Sequence, residues 1–255
     1  MRTQDALATY LDRRADQDRP LDLWWRDDDL ETPSDDLSAC LGALGEAGIA
    51  AAFAAIPKGL TAEAVGALDG TGSVLFVHGW AHANHAPAGE KKSEFGPTRR
   101  LSDRLAEIAR GRERLDALGR QRAVACFVPP WNRIGADLLP VLGEAGIAAL
   151  SAFASQKHPA PEASVPRLDT HVDLIDWRGT GGPISGDGFV ARIIEHDGVD
   201  GPVGILSHHR VTDPGAWNAW RPILRQLSDH PAVRWLSPGE ALARAGVEPG
   251  IRRQV

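Results

Sequence analysis

The sequence predicts an α/β protein, a distorted or incomplete (β/α) barrel of about seven strands. Short apolar runs alternate with helical patterns along the whole chain, and this alternation predicts a mostly parallel sheet covered by helices. No glycine-rich nucleotide-binding fingerprint follows an early strand, which favours a barrel over an open doubly wound sheet. Ionisable side chains follow several of the runs, at the edge where a parallel barrel builds its active site.

The elements follow in chain order. The predicted strands span residues 21–28, 50–57, 73–79, 123–130, 148–153, 171–177, 203–209 and 232–237. The predicted helices span residues 33–47, 61–69, 102–120, 135–145, 188–196 and 214–228. Pro33 near the start of the first helix and Gly48 just past its end are typical helix boundaries, and Ser102 is predicted to cap the third helix. The octapeptide Leu44–Ala51 recurs at Leu142–Ala149, which indicates two equivalent helix-to-strand connections.

We expect one domain over residues 1–255, since no linker interrupts the pattern. No run approaches the ~18 apolar residues of a membrane span, and the charged N-terminal stretch lacks an export signal. We therefore expect a cytoplasmic protein without a membrane partner, and nothing in the sequence indicates an oligomer. Cys40 and Cys126 lack C-x-x-C spacing, so we expect two buried thiols and no disulfide.

Charge and composition narrow the function. The 28 Lys and Arg residues against 34 Asp and Glu residues give a net charge of -6, which argues against a nucleic-acid partner. Eight Trp and nine His accompany only one Met and one Tyr, a bias that indicates a site. In the polar loop 86–100, Glu94 and Phe95 are open to two interpretations, a lid or a contact between copies.

Polar segments follow five of the predicted strands. These segments are Arg26–Asp29, His78–His82, Pro129–Arg133, Asp173–Trp177 and Ser207–His209. Three consecutive carboxylates repel one another, and a bound cation or an arginine relieves the repulsion; the alternative is an acidic helix start. His78 and His82 lie four residues apart, and two imidazoles with one carboxylate form the ligand set of a catalytic zinc site. His85 remains an alternative ligand.

In this order the segments resemble the motifs of polysaccharide deacetylases of the NodB-homology type, carbohydrate esterase family four. The matching motifs are Asp28-Asp29, His78-x-x-x-His82, Val128-Pro-Pro-Trp131, Asp173-x-x-Asp176-Trp177 and Leu206-Ser-His208. The resemblance implies Asp28 as general base and His208 as general acid. It also implies that Asp29, His78 and His82 bind a divalent metal, with Zn²⁺ expected and Co²⁺, Ni²⁺ or Mn²⁺ as alternatives. An Asp27-Asp28 register would make Asp27 a catalytic residue instead.

Two positions depart from the family pattern. Val128 stands where the family has an arginine, so Arg26 or Arg133 is expected to take over its charge, and Leu30 stands where the family has glycine. The match is therefore to a divergent branch. Asp173 is expected to orient His208, as a supporting carboxylate does.

The resemblance implies a metal-dependent hydrolase that removes an N-acetyl or similar acyl group from an amino sugar or glycan. The residues expected to bind substrate are Trp80, Trp131, Asn132, Arg133 and Trp177. Five of the eight Trp lie in or beside the five segments, and we expect two or three of these to be core residues. The alternatives are a metal-dependent amidohydrolase acting on a small non-sugar amide or imide, and an inactive carbohydrate-binding relative.

Overall fold

The computed structural model describes residues 3–154 and 162–247, with the side chain of Thr3 excepted. Its centre is a sheet in which every strand pairing is parallel. The strands are β1 (Leu21–Leu30), β2 (Ala51–Ala55), β3 (Val74–His78), β4 (Ala123–Val128), β5 (Ala149–Leu150), β6 (Val172–Asp173), β7 (Val203–Ser207) and β8 (Val233–Trp235).

The strand order confirms the predicted fold class. Neighbouring strands run β5-β4-β3-β2-β1-β7-β6, and β8 pairs with the first residues of β1. The described β5 and β6 do not pair with each other, so the sheet curls into a half-barrel and stays open. Because all strands are parallel, their carboxyl ends meet at one edge, and the polar segments follow there.

Helices cover the sheet. They are α1 (Thr3–Asp16), α2 (Asp35–Glu46), α3 (Ala62–Gly66), α4 (Leu101–Gly119), α5 (Gly186–Glu195), α6 (Pro214–Asp229) and α7 (Pro238–Arg244). The predicted helix 135–145 is a 3₁₀ helix, Leu139–Ala145. The predicted cap at Ser102 is wrong: α4 begins one residue earlier, and the Ser102 hydroxyl donates to Asp103.

The described structure contains two α-helices beyond those predicted from the sequence, the first and the last. The N-terminal stretch is charged overall, yet Leu7, Tyr10 and Leu11 of α1 are buried. The last helix, α7, carries a capping box between Ser237 and Glu240, a sequence signal for a helix start that could have been used.

The two faces of β1 pack into different cores, because successive side chains of a strand point to opposite faces. Trp25 belongs to the core under the helices, where it packs against Phe189 and Trp217. Trp24 packs on the other face, with Ala52 and Phe76 inside the half-barrel. The parity of β1 therefore decides which of its polar residues face the barrel interior.

The cysteine expectation is confirmed, since Cys40 and Cys126 are buried free thiols. Burial raises the pKa of both thiols. None of the helices in the described part of the chain is long and apolar enough to cross a membrane.

Candidate metal centre and active site

Three side chains from two strand ends converge at the carboxyl edge of the sheet. The Nε2 atoms of His78 and His82 lie 3.2 and 3.4 Å from Oδ1 of Asp29. The potential ligand atoms all lie within 4.8 Å of one another. The spacing of the two histidines thus brings both imidazoles to one point, as the sequence predicts.

Local backbone geometry produces this convergence. The pairing of β1 with β2 shifts register between Asp28 and Leu30, and Asp29 lies in the left-handed region with φ 75. The bulge takes Asp29 out of strand alternation and points it at the histidines. His82 is also left-handed, with φ 52, which returns its ring toward His78. Such conformations cost free energy in residues other than glycine and persist only where their surroundings hold them.

The donor set fits a divalent cation. Oδ1 of Asp29 is buried and has no hydrogen-bond partner in the described structure, although two imidazole nitrogens face it. Burial alone would raise the pKa of Asp29, but His78 and the nearby His208 and His82 lower it well below its usual range. Two nitrogens and one carboxylate oxygen, directed at one point, suit Zn²⁺ and similar ions.

The two histidines differ in their electrostatic surroundings. Burial would lower the pKa of His78, but the charge of Asp28 and the contact with Asp29 raise it. Its Nδ1 lies 3.0 Å from the carbonyl oxygen of Val128, so Nδ1–H donates there and Nε2 is left for a ligand. Burial and the neighbouring His78 lower the pKa of His82.

Asp28 lies beside this cluster and faces the barrel interior. Arg26 donates from Nε to Oδ1 of Asp28 at 2.8 Å and from Nη2 to Oδ2 at 3.0 Å. Arg26 also donates to Ser151 Oγ at 2.8 Å and to Asn132 Oδ1 at 2.9 Å. Of the two arginines expected to replace the family's arginine, Arg26 reaches the carboxylate. Arg133 does not, because its Nη1 donates to the carbonyl of Lys92.

His208 directly follows β7 and lies near Asp28. Its Nε2 lies 3.9 Å from Oδ2 of Asp28, and its buried Nδ1 has no hydrogen-bond partner among the described residues. The ring of Trp177 packs edge-on against His208, with centroids 4.9 Å apart. Trp177 Nε1 donates to Asp173 Oδ2 at 2.9 Å. In the described structure Asp173 reaches His208 through Trp177 and not by a direct hydrogen bond.

Asp27 does not join the cluster. It shares the helix-side face of β1 with Trp25, and its carboxylate accepts from Ser207 Oγ and from the backbone N–H of His209, at 2.5 and 3.0 Å. Its other oxygen contacts Nδ1 of His209. The geometry therefore brings Asp28 and Asp29, and not Asp27, together with the histidines, and it favours the Asp28-Asp29 register over the Asp27-Asp28 alternative.

The tryptophans divide between core and site. Trp24 and Trp25 are completely buried, which confirms the expectation that two or three of the five are core residues. Trp131 packs on His82 with centroids 4.3 Å apart, and Trp177 is 53% exposed. The ring of Trp80 lies under the guanidinium of Arg110 on α4, 3.9 Å from its centre. Arg110 thus covers one face of the Trp80 ring, and the side chain of Trp80 is half-buried.

Sequence analysis misread the loop that carries Glu94 and Phe95. Neither residue is a lid or an exposed contact, because both are buried. Phe95 packs edge-on against Phe127, and the Glu94 carboxylate accepts backbone hydrogen bonds from the turn between the two histidines. Burial raises the pKa of Glu94, while these backbone hydrogen bonds oppose the rise. No periodicity marks a loop glutamate, so this role has no signal in the sequence.

Comparison with known proteins shows the fold. No family model and no curated protein matches the chain. A family 4 carbohydrate esterase from Streptomyces lividans, in complex with acetate, is 18% identical with a TM-score of 0.61, over 91% of this chain and 98% of that one. A family 4 acetyl xylan esterase from Clostridium thermocellum, in complex with a cobalt ion, is 15% identical with a TM-score of 0.57, over 89% and 93%.

A third similar solved structure is that of a pseudoenzyme variant. A mutant of a family 4 pseudoenzyme with restored enzymatic activity is 12% identical with a TM-score of 0.61, over 88% of this chain and 67% of that one. The chain therefore has the half-barrel fold of family 4 carbohydrate esterases, a fold that is found in active enzymes and in at least one pseudoenzyme. The fold alone does not decide function, which depends on the residues of the site.

Proposed function

We propose that the protein is a metal-dependent hydrolase that removes an acetyl or similar acyl group from the nitrogen of an amino sugar or glycan. The observation that carries the proposal is the convergence of Asp29, His78 and His82 on one point, with Asp28 and His208 beside it. An inactive binding protein has no need for a buried, unsatisfied carboxylate oxygen facing two imidazoles. The proposal takes residues 1–255 as one domain.

Asp29, His78 and His82 would hold the ion, with Zn²⁺ as the expected metal. A bound divalent ion supplies positive charge that polarises an amide carbonyl and acidifies water. Asp28 accepts the proton of the attacking water at a carboxylate oxygen, and the two hydrogen bonds from Arg26 hold that carboxylate in place. His208, whose Nε2 lies 3.9 Å from Oδ2 of Asp28, donates a proton to the departing amine. Water and the amide thus give a carboxylic acid and a free amine.

Aromatic rings at the site favour a sugar substrate. Trp177 is exposed beside His208, and Trp131 lies against His82. Exposed indole rings can stack on the apolar face of a sugar ring while the sugar hydroxyls keep their polar partners. Asn132 and Arg133 follow Trp131 in the chain, and Asn132 Oδ1 accepts a hydrogen bond from Arg26 beside Asp28.

The experiment is acetate release by protein stripped with a chelator and then reloaded with Zn²⁺ or Co²⁺. We expect metal-dependent release from N-acetylglucosamine oligomers, abolished by His78→Ala and His208→Ala. His230→Ala serves as the matched control, since His230 contacts Asp12 far from the cluster in sequence and structure. Turnover of small amides or imides alone would favour the non-sugar amidohydrolase. Absence of bound metal, with His78→Ala indistinguishable from wild type, would overturn the proposal.

A further inference from the structure

Glu94 is a buried carboxylate with three backbone donors. A long loop connects β3 to Glu94, and the Glu94 side chain is 1% exposed. Its Oε1 accepts from Ala81 N–H at 2.8 Å, and its Oε2 accepts from His82 N–H at 3.1 Å and from Trp80 N–H at 3.3 Å. These three N–H groups belong to the turn that separates His78 from His82.

The turn is shaped around this carboxylate. Gly79 has φ 63, and a Cβ on it would lie 2.1 Å from Oε2 of Glu94. A side chain at position 79 would therefore take the space that the carboxylate occupies. At the other end of the turn, His82 holds its left-handed conformation with its N–H bound to Glu94. Such a conformation needs a neighbouring group to stabilise it.

Backbone hydrogen bonds of the loop hold Glu94 in place. Phe95 is completely buried, and its carbonyl oxygen accepts from Gly135 N–H at 2.8 Å. The Nη1 of Arg99 donates to the carbonyl oxygen of Glu94 at 3.3 Å. These contacts hold the backbone that follows the Glu94 side chain and so help to fix the position of its carboxylate.

We propose that Glu94 is a positioning residue, which holds the turn so that both imidazoles present Nε2 to one metal ion. This inference rests on the proposed function, because it assumes that His78 and His82 bind metal. Glu94 itself lies behind the turn and contacts backbone, so it acts through the turn and not on substrate. Groups that orient metal ligands in this way typically change metal affinity when they are removed.

The test compares Glu94→Gln with wild type and with Glu107→Gln. An amide offers one acceptor oxygen and turns an NH₂ toward N–H donors, so the turn loses at least one hydrogen bond. We expect the affinity for Zn²⁺, measured by competition with a chromophoric chelator, to fall about 10- to 100-fold. Glu107 is the matched control, because it binds the same Arg99 at the surface and not the turn. Its substitution should leave the affinity unchanged.

A second readout needs no metal. In chelator-stripped protein, hydrogen exchange at the N–H groups of Trp80, Ala81 and His82 should accelerate in Glu94→Gln and stay slow in Glu107→Gln. Wild-type affinity together with wild-type exchange in Glu94→Gln would overturn the proposal. If His78→Ala leaves Zn²⁺ binding unchanged, the metal site fails instead, and the exchange experiment still reports whether Glu94 holds the turn. Glu94→Asp, which shortens the side chain, should recover part of the affinity if the carboxylate is what matters.

Discussion

Arg26 and Asp28 lie on the same face of β1, two residues apart, and form a bidentate ion pair with both side chains buried. The residue that holds the candidate base is therefore on the same strand as the base. Val128 stands at the position where the related motif has an arginine. Its apolar side chain packs in the core inside the half-barrel. In this chain the guanidinium beside Asp28 therefore comes from β1 itself.

Arg26→Lys is expected to lower kcat by about 100-fold, the cost of a displaced catalytic group. Lysine keeps the charge but offers no planar pair of N–H donors to the carboxylate. Arg26→Met, which leaves Asp28 buried without its partner, is expected to lower the free energy of unfolding by about 3–5 kcal/mol. Kinetics of acetate release and urea denaturation measure the two effects.

Arg234→Lys is the control for these variants, since Arg234 pairs with Asp22 at the protein surface. It should behave as wild type in both measurements, because exposed ion pairs contribute little. Wild-type kcat in Arg26→Lys would contradict the assignment of Asp28 as the base held by Arg26.

Trp177→Phe is expected to lower kcat about tenfold, the loss of one ~1.5 kcal/mol hydrogen bond to a charged group. Phenylalanine keeps a ring beside His208 but cannot donate to Asp173. Burial raises the pKa of Asp173, and the Trp177 hydrogen bond opposes that rise. Without the hydrogen bond this pKa rises further, so the acidic limb of the kcat profile should move to higher pH. An unchanged profile would show that the indole N–H does not tune the site.

Asp27→Asn tests a buried network on the helix side of β1. Asp27 links β1 to β7 through Ser207 and His209, so it couples the strand with Asp28 to the strand with His208. Asparagine has nearly the same shape but no charge for His209. We expect the free energy of unfolding to fall by about 3 kcal/mol, as for other broken buried pairs, and kcat to fall with Zn²⁺ affinity unchanged.

The pH dependence of this loss has a defined sign. Burial would lower the pKa of His209, but the charge and the hydrogen bond of Asp27 raise it above 6.5. The ion pair therefore contributes its full stability below about pH 6.5, and this contribution is lost as the pH rises through the raised pKa. The stability difference between wild type and Asp27→Asn should shrink from about pH 6.5 upward in chelator-stripped protein. A difference that grows with pH would rule out the ion pair.

The sequence reveals much of the sheet and the chemistry but not the fine geometry of β1. Alternating strand and helix patterns identify the elements, and the His78–His82 spacing predicts the candidate metal ligands. The acidic triplet is harder, because β1 is buried on both faces and carries Trp24 and Trp25 side by side. The alternation of side chains along β1 therefore does not distinguish a polar face from an apolar one. Only the bulge at Asp29 shows which two carboxylates meet the histidines.

Loop residues are the other limit. Glu94 lies 12 to 14 residues after the turn it binds, beyond the reach of local patterns, and nothing in its sequence neighbours indicates that it is buried. The first helix is hidden for a related reason: its buried face is narrow, and charged residues surround it. In both cases tertiary contacts, and not local pattern, determine where the side chain lies.

His171 provides a prediction outside the site. Its Nδ1 accepts from the backbone N–H of Gly204 at 3.0 Å, so the folded protein holds the imidazole neutral. Burial, and then repulsion from His196, lower its pKa to about 4. In the unfolded chain the pKa of His171 is near 6.5, so between about pH 6.5 and 4 the unfolded chain binds a proton at His171 and the folded chain does not. Wild type should therefore lose stability as the pH falls from about 6.5 to about 4.

His171→Gln should remove part of that acid sensitivity, because the glutamine oxygen can accept the Gly204 hydrogen bond and does not titrate. Urea denaturation of chelator-stripped protein at pH 7, 5.5 and 4.5 measures the effect, with the exposed His85→Gln as the matched control. We expect His171→Gln to be no more stable than wild type at pH 7. The difference in free energy of unfolding should then shift in favour of His171→Gln as the pH falls toward 4.5. If wild type and His171→Gln lose the same free energy of unfolding toward pH 4.5, then His171 is protonated in the folded state without cost.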